Sequence, residues 1–409
     1  MVAQEAVVVV TKLSRFLGYA TKRLLAAFCV FKKLTVLTIF FTIANSAFAA
    51  TLSEERADIM YHSYDGGGIE ITGPSILVRK NFKERVSVYG NYYVDQISSA
   101  SIDVITSGAS RYAEKRTEVS VGTEYLHDKT KLSLSGTTSE ENDYEAETLT
   151  FGVSQDFFGD MTTLSLGYSH GDDIVRDVTN PDFEQYAQHR KYRFGLTQVL
   201  TPKWIMSLTA ETVNDQGFLN NPYRFVRIID DGTQTTAKER YPNTRNSDAY
   251  GFRTMYYLPY RAALGMETRV FSDNWGIEAN NTELRYVHPY KDQWVFQTSF
   301  RVYAQTQASF FSDAFTYSEQ QDFMARDKEM SEFESFSFGL GVKYEVRSDW
   351  LSYFDKVTVN FKYNYMVFDY KTFRDMSQSM GEGAAFRPGE EPFYELKANV
   401  IRFFISAYY

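Results

Sequence analysis

The chain has 409 residues, among them 30 Tyr and 33 Phe but a single Cys and nine Pro. Apolar residues make up 44% and mean hydropathy is −0.36, which excludes a bundle of membrane-spanning helices. Six of its 43 basic residues but only one of its 52 acidic residues fall in 1–49, so the rest carries a net charge of −14, an unfavourable surface for nucleic acid.

Taken in chain order, the first element is a targeting segment. Lys32 and Lys33 precede the apolar run 34–44, and Ala47-Phe48-Ala49 follows with small residues at the positions a signal peptidase requires. This predicts a Sec signal cleaved after Ala49 and a mature chain of 50–409. A membrane anchor needs about 20 continuous apolar residues, and this run is about half that. The signal makes no use of residues 1–30, and Val30 is a candidate start. Cys29 lies in the removed part, so disulfides, thiol catalysis and thiolate metal sites are excluded from the mature chain.

From residue 50 onward, alternation at period two replaces helical periodicity. Leu164, Leu166 and Tyr168 alternate with Thr163, Ser165 and Gly167; Phe336, Phe338, Leu340, Val342, Tyr344 and Val346 alternate with Ser337, Gly339, Gly341, Lys343, Glu345 and Arg347. A soluble sandwich alternates too, but its strands centre on about 5–6 residues. These segments run longer, as tilted strands crossing a bilayer must, at about 9–11 residues. Tight turns fall near 81–83, 127–129, 158–160, 201–202, 259–260, 290–292 and 349–355. Longer or more polar links fall between them at 64–70, 96–113, 142–143, 172–183, 214–246, 273–274, 307–332 and 371–392. The strict alternation predicts an all-β fold: a transmembrane, antiparallel, up-and-down β-barrel of about 16 strands (14–18), with both termini in the periplasm. Trp204, Trp275, Trp294 and Trp350 all fall at strand ends, suited to a girdle between lipid and water. The final strand presents Ile401, Phe403, Ile405, Ala407 and Tyr409 on one face, a form suited to the machinery that inserts outer-membrane barrels.

The stretches Tyr64-Asp65-Gly66-Gly67-Gly68, Gly73-Pro74-Ser75-Ile76-Leu77, Phe151-Gly152-Val153-Ser154-Gln155-Asp156, Leu219-Asn220-Asn221-Pro222-Tyr223-Arg224, Tyr256-Tyr257-Leu258-Pro259-Tyr260-Arg261, Phe271-Ser272-Asp273-Asn274-Trp275-Gly276-Ile277 and Ala325-Arg326-Asp327-Lys328-Glu329 stand out. Together they resemble an uncharacterised proteobacterial family of predicted outer-membrane β-barrels. The resemblance implies a Gram-negative outer-membrane location, with outer-membrane lipid and lipopolysaccharide around the wall, and no established activity. It also implies envelope redox partners.

Of the five histidines, His62 and His170 fall toward outer strand ends. His170-Gly171-Asp172-Asp173 puts carboxylates near an imidazole, as an activated water requires. No serine near either histidine stands in a nucleophile motif, so an outer-leaflet hydrolase ranks last and the expectation is a non-enzyme. Glu140-Glu141-Asn142-Asp143-Tyr144-Glu145 and Asp230-Asp231-Gly232 offer oxygens but lack the spacing of a calcium loop, so neither a metal nor a cofactor is expected. The inner face carries Glu124, Glu267, Arg269, Arg301, Lys343, Glu345, Arg347, Lys362 and Arg402. So many ionised groups are costly in a dry core, and a hydrated lumen, wide enough at about 16 strands, avoids that cost. The expected function is porin-like passage or export of a small polar solute, gated by the long outer loops. Those loops carry Asn221, Pro222, Tyr223 and Arg224 in one and Arg326, Asp327, Lys328 and Glu329 in the other. A non-conducting accessory barrel of an envelope complex is the alternative.

Overall fold

The computed structural model describes residues 51–99, 112–230, 233–316, 321–348, 351–380 and 382–409. The expected signal peptide in 1–49, Trp350 and most of the link 96–113 lie outside them. Among the described residues no helix is long and apolar enough to cross a membrane. The strands are β1 (Arg56–Gly66), β2 (Ile69–Phe82), β3 (Val86–Ser99), β4 (Tyr112–His127), β5 (Thr130–Glu140), β6 (Tyr144–Phe157), β7 (Thr162–Asp177), β8 (Asn180–Thr201), β9 (Trp204–Gly217), β10 (Phe225–Asp230), β11 (Thr233–Lys238), β12 (Thr244–Tyr257), β13 (Ala263–Asp273), β14 (Glu278–Tyr290), β15 (Trp294–Gln305), β16 (Phe333–Val346), β17 (Lys356–Arg374) and β18 (Phe393–Tyr408).

All but β10 and β11 form one closed antiparallel barrel of sixteen strands, β9 pairing with β12 and β1 with β18. The short turns share one end with the start of β1 and the finish of β18, called here the near end; the longer links share the far end. Link lengths at the far end vary because local chemistry does. β1 and β2 are joined by Gly67 and Gly68 alone, both at positive φ (60° and 76°), the type I′ geometry that matches the twist of a hairpin. Residues 218–243 are instead long enough to form their own hairpin, β10–β11.

Directly paired residues share a face and side chains alternate along a strand, so the register fixes two walls. Outward stand apolar residues such as Ile59, Val121, Leu149, Leu166, Phe338 and Ile405, with Val121 59% and Leu166 55% exposed, as expected of a lipid-facing surface. Inward stand polar residues that bond across strands, among them Ser120 with Thr137 (2.9 Å), Thr150 with Ser169 (2.9 Å) and Thr197 with Ser207 (2.8 Å). This is the architecture of an outer-membrane barrel, with the strand number expected from the spacing of turns.

Trp204 and Trp294 sit on the outer surface at the near end, Trp204 Nε1 donating to Thr254 Oγ1 (2.7 Å), as a girdle requires. Trp275 does not. It is only 3% exposed, edge-on to Phe310 and Tyr241, with its Nε1 donating to the Thr244 carbonyl (2.9 Å). The link that carries it turns inward, and the apolar far-end loops cover it instead of lipid.

Candidate functional site

The inner wall holds eight of the nine expected lumen residues; Arg347 lies one position beyond β16, its guanidinium donating to the Asp292 carbonyl (3.3 Å). They are not equally free. Glu124 bonds Arg79 (3.2 Å) and accepts from Ser53 Oγ (3.0 Å), which ties the leading residues 51–55 across the near mouth. Glu267 pairs with Arg253 (2.6 Å) and Glu345 with Arg347 (3.5 Å) and Lys356 (3.9 Å). Arg269 pairs with Glu211 (2.8 Å), which Lys191 also reaches (3.1 Å). Arg301 and Lys362 instead lie over aromatic rings, Tyr303 and Phe404, each 5.9 Å from the centroid, and Arg402 stands opposite Lys362 in register.

The two loop motifs meet. Arg224 forms an ion pair with Asp327, whose carboxylate also caps the turn Lys328–Met330 by accepting from the Glu329 amide (2.9 Å). Asn221 Oδ1 accepts from the Tyr223 amide (2.9 Å), Pro222 O from Lys238 Nζ (2.5 Å), and Glu329 O from Gln305 Nε2 (2.8 Å). Tyr223 reaches Asp143 on another link; burial, reinforced by that carboxylate, pushes its hydroxyl well above the ordinary value. Arg326 lies over the Phe373 ring (4.4 Å) and donates to the side chain (3.0 Å) and carbonyl (2.8 Å) of Asp313.

At the centre of this cap lies Arg227, of β10, 1% exposed. It bonds Glu391 twice (2.6 and 3.3 Å) and Asp313 (2.6 Å), while Glu391 accepts from Ser379 and from the Gly389 amide (2.8 Å). Three links, 218–243, 306–332 and 375–392, are thus tied by one buried ion network. Backbone bonds join the first two: Ile229 N to Phe315 O and Phe315 N to Arg227 O, both 2.8 Å. Burial lifts the Glu391 carboxyl, and the bonds from Arg227 and Ser379 outweigh that and hold it below the usual range. Sequence reading missed Arg227, Asp313 and Glu391. The one available signal was a lone cation within the apolar hairpin Phe225, Val226, Ile228, Ile229.

The cap is seated on the inner wall. Trp275, Phe310, Phe311 and Phe373 pack with Phe333, Tyr370, Leu396 and Ala398, inward residues at the far ends of β16, β17 and β18, and Tyr241 packs against them. Burial, with Glu239 beside it, pushes the Tyr241 hydroxyl far above its ordinary value. Val226, Ile228, Phe315 and Met324 form a second apolar cluster inside the cap itself.

The imidazole chemistry is arranged differently from the sequence expectation. His170 faces outward opposite Leu149 and bonds Asp172 (3.1 Å), whereas Asp173 faces inward, so alternation splits the four-residue motif between two walls. Asp173 instead bonds His189 Nε2 (2.9 Å), whose Nδ1 meets Asp215 (2.7 Å). His62 reaches across β2 to Asp95 (2.7 Å) and stacks on Tyr93 (4.8 Å between centroids). It can do so because residue 73 is glycine: a Cβ there would lie 1.7 Å from the Val94 carbonyl and 3.3 Å from His62 Cε1. At the far end Glu114, Glu141 and Asp143 bring carboxylate oxygens within 4.8 Å of one another, an oxygen set that suits a divalent cation. Burial lifts Glu141 above the usual range, with Arg116 opposing and Asp143 adding to the rise.

A family model described as a protein of unknown function (DUF3570) matches residues 105–193 and 177–365. No curated protein matches the chain. Similar solved structures include the siderophore receptor PirA from Pseudomonas aeruginosa (7% identity, TM-score 0.42, covering 79% of this chain and 60% of that one). A bacterial polysaccharide outer membrane secretin (7%, 0.48, 87% and 99%) and a loop-deleted OmpT of Vibrio cholerae (9%, 0.40, 87% and 98%) are also similar. The chain thus spans 60% of the length of the PirA receptor. These are resemblances of barrel architecture alone.

Proposed function

We propose that this chain, which belongs to the DUF3570 family of proteins of unknown function, is an outer-membrane barrel for passage or export of a small polar solute, gated by its far-end loops. The near end, with its short turns, faces the periplasm and the cap faces outward. Outer-membrane lipid and lipopolysaccharide are its surroundings, and the apolar strand β18 its handle for the insertion machinery. The observation that supports passage is the inner wall: ionised side chains on strand after strand, several without a carboxylate partner among the described residues, inside a barrel of the size that leaves an aqueous lumen. A desolvated interior would penalise each such group by several kcal/mol, of order ~3 or more.

The cap favours a second reading, a non-conducting accessory barrel of an envelope complex, for which redox partners are one class. Its buried ion network and aromatic seat suit a permanent plug as well as a gate. Planar-bilayer recordings separate the two. Current steps from the unmodified protein support passage; steps only from an Arg227→Ala variant support a gate; silence from both in all salts leaves the accessory reading.

A further inference from the structure

Five consecutive strands, β14 to β18, place three rows of inward residues directly beneath the cap. The row nearest the cap runs Glu283, Arg301, Ser337, Met366, Ala398; the next runs Arg285, Ser299, Gly339, Asn364, Val400; the third runs Val287, Gln297, Gly341, Lys362, Arg402. One row nearer the far end, Tyr303, Phe368 and Leu396 already belong to the cap's aromatic seat. The patch therefore holds four cations and one acid. That acid, Glu283, is engaged by Arg285 (3.0 and 2.5 Å). Among the described residues Arg301, Lys362 and Arg402 have no carboxylate partner, and the charged groups that act on Lys362 are themselves cations, Arg402 and Arg285.

Between the two sets of cations the wall carries small, uncharged residues: Ser337, Gly339 and Gly341 of β16 separate Arg285 and Arg301, on β14 and β15, from Lys362 and Arg402, on β17 and β18. Strands spaced about 4.8 Å apart put β14 about 14 Å from β17. Arg402 stands opposite Lys362 and Arg285 is near enough to act on it, while Arg301 leans toward Tyr303 on the cap side. A Cβ at Gly339 would lie 2.4 Å from Ser299 Oγ and 2.7 Å from Asn364 Nδ2, so these two polar side chains close over the glycine and a larger residue there would displace them.

We propose that this patch is a binding station for a small oxyanion, a phosphate- or carboxylate-bearing solute held by Lys362 and Arg402 beside the β16 glycines, with Arg285 and Arg301 adding to the positive field below the cap. It names the solute class for the passage reading and rests on it, but binding is measurable without passage. Guanidinium and ammonium groups left without internal acids bind oxyanions through charge-assisted hydrogen bonds.

The test is calorimetric titration of the detergent-solubilised, full-length folded protein with inorganic phosphate, folding being verified by heat-dependent gel mobility. The unmodified protein binds phosphate, and Lys362→Gln with Arg402→Gln weakens binding at least about tenfold. Lys129→Gln, at a near-end turn, leaves it unchanged. Folded protein that takes up no phosphate at tens of millimolar overturns the station, as does a double variant that binds equally or a Lys129→Gln variant that loses binding as much. Phosphate binding without bilayer conductance would retain the station and remove the passage reading; conductance without phosphate binding would do the reverse.

Discussion

Arg227 and Glu391, 164 positions apart, meet at 2.6 Å with both side chains withdrawn from solvent. The pair is bidentate and shares Asp313 with Arg326, so three loops hold one another through it. Loss of one partner leaves the other buried and uncompensated, a cost of about 3–5 kcal/mol. Glu391→Ala should therefore release the cap while the barrel, stabilised by its own ladder, persists. Limited proteolysis checks this: cleavage within 218–243, 306–332 or 375–392 should appear with gel mobility of the folded barrel retained. A cleavage pattern identical to that of the unmodified protein refutes it.

The same carboxylate predicts an acid response. Glu391 is lifted by burial but held below the usual range by Arg227 and Ser379. With its folded value depressed, its contribution is complete above the ordinary glutamate value of about 4.3 and is lost as pH falls through the lower folded value. The cap should thus be unchanged from neutral pH to about 5 and loosen only in stronger acid. Trp275, buried in the cap, supplies the signal: its fluorescence should shift toward that of an exposed indole in that window. Glu391→Gln should remove the transition; an unaltered transition in that variant would assign it elsewhere.

Leu166 and Ser165 test the two walls. Leu166 is 55% exposed on the outer face, while Ser165 points inward and its hydroxyl donates to the Gly195 carbonyl (3.4 Å). Leu166→Arg should cost about 2–4 kcal/mol in a lipid-refolding titration, as charges at mid-bilayer do, and Ser165→Arg much less. Equal losses would mean that the inside and outside of β7 are exchanged.

Lumen arginines should differ in their effect on ion selectivity. Arg269 is matched by Glu211, whereas Arg301 forms no ion pair among the described residues, the Glu283 opposite it being engaged by Arg285. Charged groups lining a pore set its selectivity, and salt near 1 M screens them within about 3 Å. Arg301→Gln should lower anion preference in reversal-potential measurements at low salt, and Arg269→Gln should change it little. A larger effect from Arg269 would show that the salt bridge, not the free charge, governs the field.

The barrel was readable because one rule, alternation at period two, operates within each strand and needs no distant partner. Turn residues separated the runs, and sixteen strands followed. Ion pairs across strands were not readable, which is why Arg269 seemed as free as Arg301 until the register set Glu211 near it. The cap was half readable: Asn221 to Arg224 and Arg326 to Glu329 stood out as motifs, but Arg227, Asp313 and Glu391 leave no periodic trace. Their proximity depends on three loops folding over the mouth together. Trp275 misled for a related reason, since a tryptophan at a strand end serves lipid or a loop core equally well until the loop's path is known.

Closure of the ring by β1 and β18 has a kinetic consequence. Arg56 pairs with Tyr408 and Gly66 with Ala398, so the seam joins segments separated by nearly the whole described chain. Every other strand pairing among the described residues joins consecutive strands or spans the β9–β12 link. The seam is thus the slowest contact to find, and until it forms both β1 and whichever strand stands last present open edges with unpaired amides and carbonyls. In a bilayer those groups have no water to satisfy them. Insertion and ring closure must therefore be one event, with β18 arriving at β1 as the wall enters the lipid.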